Sequence, residues 1–305
     1  MSNDDGVYIS VIVSDYDRRK YIIDALESVL NQSLSQEYYE IILVKNFEDE
    51  TIDRYALEHG VRSILSRDST LSGKIYEGTS NAKGNVICFL DDDDMFYKNK
   101  LEIVYNKFKN RKHLVYLHNG FSAIDVDGHG IVYENANPDF NMSSISVSSG
   151  IIKMDMLKKV SKSIDTLMYL YALESGKDIE MESRPLTYYR VSENSVTHSF
   201  NNVQTFTDFS IKSLNQILES YMQMEQMFKS RRALAILRHR KIFTRVRIKL
   251  FGGRGPGIGD YFRLMITPTT ESRAYEFKVV ISSIMLKNYA IKKLYENEIR
   301  KKELA

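Results

Sequence analysis

The chain has little cysteine, no signal-like N-terminus and no long apolar run, and each of these absences excludes a class of protein. Cys88 is the only cysteine among 305 residues, which excludes a disulfide framework and a thiolate zinc site and indicates a reducing compartment. Residues 1–6 are polar and acidic, unlike a signal peptide. No run reaches the roughly 18 apolar residues that a membrane-spanning helix needs. The sequence therefore predicts a cytoplasmic protein that does not itself cross a membrane.

Charge is distributed unevenly along the chain. The net charge is only +2, but residues 211–305 hold 20 Lys and Arg against 8 Asp and Glu, whereas residues 1–210 hold 22 against 32. Opposite net charges indicate two parts with different roles. The share of hydrophobic residues, 43%, is ample for a globular core.

Strand-like and helix-like segments alternate over the first 200 residues, which is the pattern of a layered α/β domain. We predict strands at 7–13, 40–44, 62–65, 86–90 and 114–118, and helices after Asp17, at about 51–59 and at about 98–110. A hairpin is predicted at 123–133, with its turn at Asp127 and Gly128.

The remainder of the chain has a helical pattern. Residues 206–251 contain neither Gly nor Pro, so we expect two or more helices there, separated from further helix by the glycine-rich stretch 252–259. The predicted organisation is an α/β domain at 1–204 and a basic, helical extension at 205–305.

An acidic run, Asp91–Asp94, directly follows the apolar segment Val86–Leu90. A short apolar run is typical of a strand covered on both faces, and ligands bind beyond the carboxyl ends of such strands. Carboxylates about 6 Å apart repel by roughly 3 kcal/mol at an effective dielectric constant of about 20. Either the run is a solvated loop that caps the next helix, or two of its members hold Mg²⁺ or Mn²⁺. The buried strand before the run favours the cation site.

Five segments follow one another in a characteristic order: Ser10–Arg18, Ala25–Ser33, Phe89–Asp94, Ile164–Leu170 and Tyr188–His198. Together they resemble the family 2 glycosyltransferases of the GT-A fold. The resemblance implies a Rossmann-like, mixed central sheet flanked by helices, here with an α-helical extension. It also implies an inverting enzyme that moves a sugar from a UDP- or GDP-linked donor to an acceptor hydroxyl.

The resemblance implies a role for each matching residue. The general base is Asp165, although the residue would also serve as a helix N-cap. The acidic run holds Mg²⁺ or Mn²⁺ through Asp91 and Asp93. Asp91 and Asp92 also bind the donor. His198 is either a further metal ligand or an ordinary histidine.

The remaining donor-binding candidates lie at strand ends and in a glycine-punctuated segment. Tyr16 would stack on the nucleotide base, while Asp15 and Asn46 would hydrogen-bond it. Lys74, beside Gly73, is either a cation for the donor phosphates or a solvated lysine at a helix start. Arg190 pairs either with donor phosphate or with an internal carboxylate.

Three departures from the family pattern leave a second function class open. The family's paired aspartates after the second strand are replaced by Lys45 and Asn46, the Glu before the base is Ile164, and the closing His is Ser192. The alternative is a non-catalytic protein that binds a nucleotide-sugar or a membrane surface. A phosphatase of the haloacid dehalogenase type also has Asp-x-Asp after a strand, but near its N-terminus and followed by Thr or Val, where this chain has Met95.

The basic segment 229–249 contains nine Lys and Arg, and no acidic residue lies between Glu225 and Asp260. One interpretation is an interfacial helix on anionic lipid at the inner face of the membrane, which would suit a lipid-linked saccharide acceptor. Another is a helix packed on the catalytic domain or in a homodimer contact. Nucleic-acid binding is a third option, but no known nucleic-acid module accompanies the segment, so no nucleic-acid partner is predicted.

Overall fold

The computed structural model describes residues 8–15, 19–132, 142–191, 200–266 and 273–304. The chain divides into two compact units, one of residues 1–124 with 142–190 and one of residues 125–141 with 191–305. The division at residue 190 differs from the boundary at 204 that the sequence predicts. It assigns residues 191–204 to the helical unit.

The first unit is built on one mixed sheet of eight strands in the order β3-β2-β1-β4-β7-β6-β8-β5. The strands are β1 (Ile9–Ser14), β2 (Tyr39–Lys45), β3 (Arg62–Leu65), β4 (Val86–Asp91), β5 (Met95–Phe96), β6 (Leu114–Ile124), β7 (Met142–Ser148) and β8 (Asp178–Arg190). Strands β1 to β4 are mutually parallel, β7 is antiparallel to β4 and β6, and β5 is antiparallel to β8. All five strands predicted from the sequence are present.

The helices of this unit are α1 (Arg19–Leu30), α2 (Glu50–Glu58), α3 (Leu71–Asn81), α4 (Lys100–Asn110), α5 (Met154–Leu157) and α6 (Ile164–Ser175). Helix α1 buries Ile22, Leu26 and Val29 in the main core with Val11 and Val13 of β1. This is the apolar stripe expected of a helix that packs on a sheet.

Helix α3 was not predicted as an element, because its glycines were interpreted as punctuation, although one interpretation of Lys74 placed it at a helix start. A Cβ at Gly78 would lie 2.7 Å from Cγ2 of Ile12, so the helix approaches β1 too closely for a larger residue. Packing against the sheet therefore outweighs the low helix propensity of glycine here. The predicted hairpin turn is present at Asp127 and Gly128, and the amide N of Asp125 donates to the carbonyl O of His129 at 2.9 Å.

From residue 203 onward the second unit is helical in its described part, with α7 (Val203–Glu225), α8 (Arg231–Leu250), α9 (Ile258–Ile266), α10 (Arg273–Met285) and α11 (Lys287–Leu304). The capping box of Asn202 and Thr205 starts α7. Gly252, with φ of 101°, follows the end of α8. Among the described helices, none combines the length and hydrophobicity that a membrane-spanning segment requires.

Helix α8 corrects the lipid-facing interpretation of segment 229–249. Its side chains Phe243, Val246 and Leu250 are buried in a cluster with Leu264 of α9 and Val279 of α10. The apolar side of the helix is therefore covered by the chain itself and is not available to a lipid surface. This packing lies within the helical unit, so packing of α8 on the catalytic domain and a homodimer contact both stay predictions.

Candidate functional site

The ends of β1, β2 and β4 bring the predicted donor-binding residues to one edge of the sheet. In the parallel register, Ser14 of β1 pairs with Val44 of β2 and with Asp91 of β4. Asp15 and Asn46 therefore follow at the same level as the acidic run. This is the edge at which open α/β sheets bind ligands.

The acidic run forms a tight turn between β4 and β5. The amide N of Asp94 donates to the carbonyl O of Asp91 at 3.2 Å. Asp91 is exposed, but Asp92, Asp93 and Asp94 are buried. The interpretation as a solvated loop is therefore wrong, because three of the four carboxylates are removed from bulk water. Burying charged carboxylates is costly unless other groups compensate their charge.

Arg190, at the end of β8, holds this turn in place. Its backbone N donates to Oδ1 of Asp94 at 3.0 Å, and its Nε donates to the carbonyl O of Asp93 at 2.9 Å. The guanidinium is 1% exposed, forms an ion pair with Asp24 of α1 at 2.9 Å, and lies 4.4 Å from the ring centre of Tyr21. The structure therefore shows internal carboxylate partners for Arg190, and its contact with donor phosphate stays a prediction.

Lys74 joins the ends of β1 and β2 from helix α3. The residue is only 2% exposed, so the alternative of a solvated lysine is wrong. Its Nζ donates to the carbonyl O of Asp15 at 2.6 Å and to Oδ1 of Asn46 at 3.1 Å. Lys74 therefore fixes the positions of two predicted base-binding residues, and its contact with donor phosphate stays a prediction.

Gly73 lies at the start of α3, where the side chain of Asp68 comes too close to the backbone for a larger residue. A Cβ at this position would lie 2.1 Å from Cγ of Asp68. Asp68 accepts hydrogen bonds from the amide and the hydroxyl of Thr70, the N-cap of α3, and these bonds hold the pKa of the Asp68 carboxyl below its usual range. The sequence prediction missed Asp68, since no motif marks it.

Asp165 lies in the first turn of α6 but is not its N-cap. The helix starts at Ile164, after Ser163 in the left-handed region with φ of 61°. Asp165 is the second residue of the helix and is exposed, which corrects the N-cap alternative. A carboxylate is favourable in the first turn of a helix, and its role as general base stays a prediction.

Two predicted site residues, Tyr16 and His198, lie outside the described residues. Within the described part of the chain, no group of three or more His, Cys, Asp or Glu side chains is placed to hold a metal ion. Mg²⁺ and Mn²⁺ are nevertheless commonly bound through one or two carboxylates and substrate phosphates. The exposed Asp91, with Asp93 in the same turn, supplies the hard oxygen ligands that such a cation prefers, so these residues fit the ion.

Comparison with known proteins identifies the fold around this edge. The profile of the glycosyl transferase family 2 matches residues 10–152, which include β1, the acidic turn and β7. The chain carries a glycosyl transferase family 2 domain. This finding agrees with the family that the sequence motifs resemble.

Relatives of the family 2 domain bear glycosyltransferase names. An uncharacterized glycosyltransferase of Rickettsia bellii is 29% identical over 124 residues, which are 39% of this chain and 18% of that protein. The glycosyltransferase GlyG of Streptococcus pneumoniae is 26% identical over 145 residues, 46% of this chain and 47% of that protein. The chain thus spans less than half the length of either relative.

Solved structures resemble the chain over nearly its whole length. The crystal structure of S. aureus TarS 1–349 in complex with UDP-GlcNAc has a TM-score of 0.55 and 14% identity, and covers 97% of this chain and 89% of that one. The mannosyltransferase PcManGT from Pyrobaculum calidifontis, in complex with GDP-Man and Mn²⁺, has a TM-score of 0.55 and 10% identity, with 98% and 84% covered. At these identities the likeness supports the fold alone, and it confirms the predicted GT-A architecture.

Behind the acidic turn, the family 2 domain buries a lysine that the sequence prediction missed. Lys100 of α4 is fully buried; its Nζ donates to Oγ1 of Thr187 at 3.2 Å and lies 3.7 Å from the ring centre of Phe96. Burial, which disfavours the charged amine, lowers the pKa of Lys100 from 10.5 to about 7.

Replacing Lys100 by Met is expected to flatten the pH dependence of stability. Between about pH 7 and pH 10.5 the unfolded chain binds a proton at Lys100 that the folded chain does not, so folding becomes more favourable as pH rises. This group contributes a slope of up to about 1.4 kcal/mol per pH unit in that window and none well below pH 7. Urea unfolding of the full chain at pH 7.5 and 9 should show the slope in the native chain and its loss in Lys100→Met.

The matched control is Lys109→Met, on the same helix but exposed. It should keep the native slope. Equal slopes for the native chain and Lys100→Met would show that the Lys100 amine stays protonated throughout this pH range.

Proposed function

We propose that this protein is an inverting glycosyltransferase that uses a nucleotide-diphosphate sugar and a divalent cation. The observation that carries the proposal is the acidic turn Asp91–Asp94 at the same sheet edge as Asp15 and Asn46. The family 2 domain and the glycosyltransferase names of its relatives support it. UDP- and GDP-linked sugars are the donors to test, because such donors are bound in the two structures named above.

The proposed donor site binds the nucleoside and the diphosphate at different places along the sheet edge. Asp15 and Asn46, held by Lys74, bind the base and ribose. Asp91 and Asp93 would hold Mg²⁺ or Mn²⁺, which supplies positive charge for the diphosphate leaving group. Arg190 keeps the turn rigid, because it binds the backbone of Asp93 and the carboxylate of Asp94. A turn held in this way stabilises developing charge without reorganisation.

The chemical step is a single displacement at the anomeric carbon. The Asp165 carboxylate accepts the proton of the acceptor hydroxyl as the acceptor oxygen bonds to the anomeric carbon. The bond from that carbon to the diphosphate oxygen breaks, and its electron pair leaves with the nucleoside diphosphate. Attack opposite the leaving group inverts the configuration. This geometry requires the base on the acceptor side of the sugar.

Donor binding tests the proposal first. A thermal-shift panel of UDP-, GDP-, CMP- and dTDP-sugars with and without Mn²⁺ should show a metal-dependent shift with one nucleotide. Calorimetry with that donor should then show that Asp91→Asn weakens binding by roughly 2 kcal/mol or more, about 30-fold. The reason is that the substitution removes one negatively charged ligand of the proposed cation. The control Asp127→Asn, in an exposed turn, should bind as the native chain does.

Two outcomes would contradict the proposal in different ways. Donor binding that is equal with and without Mn²⁺, and unchanged in Asp91→Asn, would overturn the metal-assisted donor site. Metal-dependent binding without transfer to any acceptor or water would instead favour the non-catalytic nucleotide-sugar-binding alternative.

A further inference from the structure

The helical unit contains a cavity of about 710 Å³ that the proposed transfer reaction does not use. It is formed by side chains of four helices: α7, α8, α10 and α11. The volume is in the range of small-molecule sites, about 300–1,000 Å³. All of its lining residues belong to the helical unit, so the cavity is a property of that unit alone.

Most of the wall of this cavity is apolar. The wall includes Phe209 and Ile217 of α7, Ile281 of α10, Leu286 between α10 and α11, and Tyr289 of α11. These side chains are only half-buried or exposed. Leu286 is 49% exposed and Tyr289 is 66% exposed. Removal of apolar surface from water is favourable, so a ligand that covers the wall of a concave apolar site is stabilised by it.

Cations border the apolar wall. Arg247 of α8, Lys278 of α10 and Lys293 of α11 line the cavity, against a single acidic residue, Glu298. Within the part of the chain that the structure describes, none of these three cations takes part in an ion pair. The cavity therefore combines an apolar interior with uncompensated positive charge, which complements an anion that carries an apolar tail.

We propose that this cavity binds a single-chain anionic amphiphile. Its alkyl or polyprenyl chain lies against Phe209, Ile217 and Ile281, and its phosphate-type headgroup contacts Lys278 and Lys293. A nucleotide is a poor match because most of the wall area is apolar, whereas a base, a ribose and two phosphates are polar over most of their surface. A flat bilayer surface is also a poor match because the apolar residues line a concavity rather than a protruding face.

The first test measures binding of alkyl phosphates to the full chain by calorimetry, below their micelle-forming concentrations. Octyl, decyl and dodecyl phosphate should bind with affinity that rises about fourfold per methylene, the value for a fully buried chain. Dodecyl maltoside, with the same chain and no charge, should bind at least tenfold more weakly than dodecyl phosphate. Inorganic phosphate alone should show no measurable binding. Affinity equal for the neutral and anionic amphiphiles, or independent of chain length, would overturn the proposal.

Variants of cavity residues test whether dodecyl phosphate binds in the cavity. Lys293→Ala should weaken dodecyl phosphate about tenfold, whereas the neighbouring Lys292→Ala, outside the cavity, should not. Ser282→Phe, which adds a ring to the cavity wall, should weaken it further while thermal melting shows that the chain still folds. Binding that survives both Lys293→Ala and Ser282→Phe would overturn the proposed site.

Light scattering tests the competing occupant, a second copy of the chain. The native chain should stay monomeric with and without dodecyl phosphate. A native dimer that Ser282→Phe dissociates would show that a second copy covers the cavity, and would overturn the amphiphile proposal. No arm of these experiments requires sugar transfer, so failure of the proposed transferase activity leaves this test intact.

Discussion

Replacing Asp165 by Asn is expected to lower the rate of sugar transfer by about 10²- to 10⁴-fold, the usual contribution of a general base. Asparagine keeps the size and much of the hydrogen bonding of aspartate but cannot accept the proton of the acceptor hydroxyl. Donor affinity should be unchanged, because the base acts on the acceptor. The measurements are initial rates of nucleoside diphosphate release with acceptor present, and donor affinity by calorimetry.

A purely structural role for Asp165 predicts a different result. A carboxylate in the first turn of α6 stabilises the helix by only about 0.3–1 kcal/mol, so loss of that contribution would lower the melting temperature slightly and leave the rate unchanged. The matched control is Glu174→Gln near the other end of α6, which should keep the native rate. A native rate in Asp165→Asn would remove this residue from the reaction.

The strands and the acidic turn were predictable because their signals are local. A continuous apolar run predicts β4, and the four aspartates after it predict a site at its end. Parallel strands then bring Asp15, Asn46 and Asp91 to one edge, which follows from the βαβ pattern alone. The helix capped by Thr70 was missed, since two glycines lower helix propensity and the close approach of Gly78 to Ile12 is a tertiary contact.

Burial of the acidic turn depends on contacts that the sequence pattern does not contain. Arg190 binds Asp94 from 96 residues away, and Asp24 joins the same guanidinium from 166 residues away. Lys100 likewise meets Thr187 across 87 residues. No periodicity or motif links such positions, so the sequence indicated that carboxylates gather here but not which groups compensate their charge.

The basic segment 229–249 shows the same limit in the helical unit. Its helical period was clear from the sequence, but a helical wheel does not determine whether an apolar side faces lipid or other helices. Packing of Phe243 and Val246 against α9 and α10 decides this for α8. Apolar area does stay open elsewhere in this unit, including in the cavity formed by α7, α8, α10 and α11.

Replacing Arg190 by Ala is expected to destabilise the chain by about 3–5 kcal/mol and to weaken donor binding at the same time. The change removes a buried cation from Asp24, deletes the hydrogen bond to the Asp93 carbonyl O, and leaves space beside Tyr21. Asp24 is itself 48% exposed and can be hydrated, so most of this cost comes from the unsatisfied carbonyl O of Asp93 and from the cavity that the buried side chain leaves. The free energy of unfolding in urea and donor affinity by calorimetry measure the two effects.

The control for this change is Arg184→Ala on the same strand. Arg184 is 59% exposed and pairs with Glu182 at 2.7 Å, and Glu182 keeps a second ion pair with Lys107 at 3.1 Å when Arg184 is removed. The loss should therefore stay near the value of about 1 kcal/mol that is usual for an ion pair at the surface. Arg190→Lys keeps the charge but not the planar fork, so it should recover part of the stability at most. If Arg190→Ala loses donor affinity but unfolds at the native free energy, the guanidinium acts on the donor phosphate rather than on the acidic turn. A loss of both, with Arg184→Ala unchanged, means that donor binding depends on the rigidity of the turn that Arg190 holds.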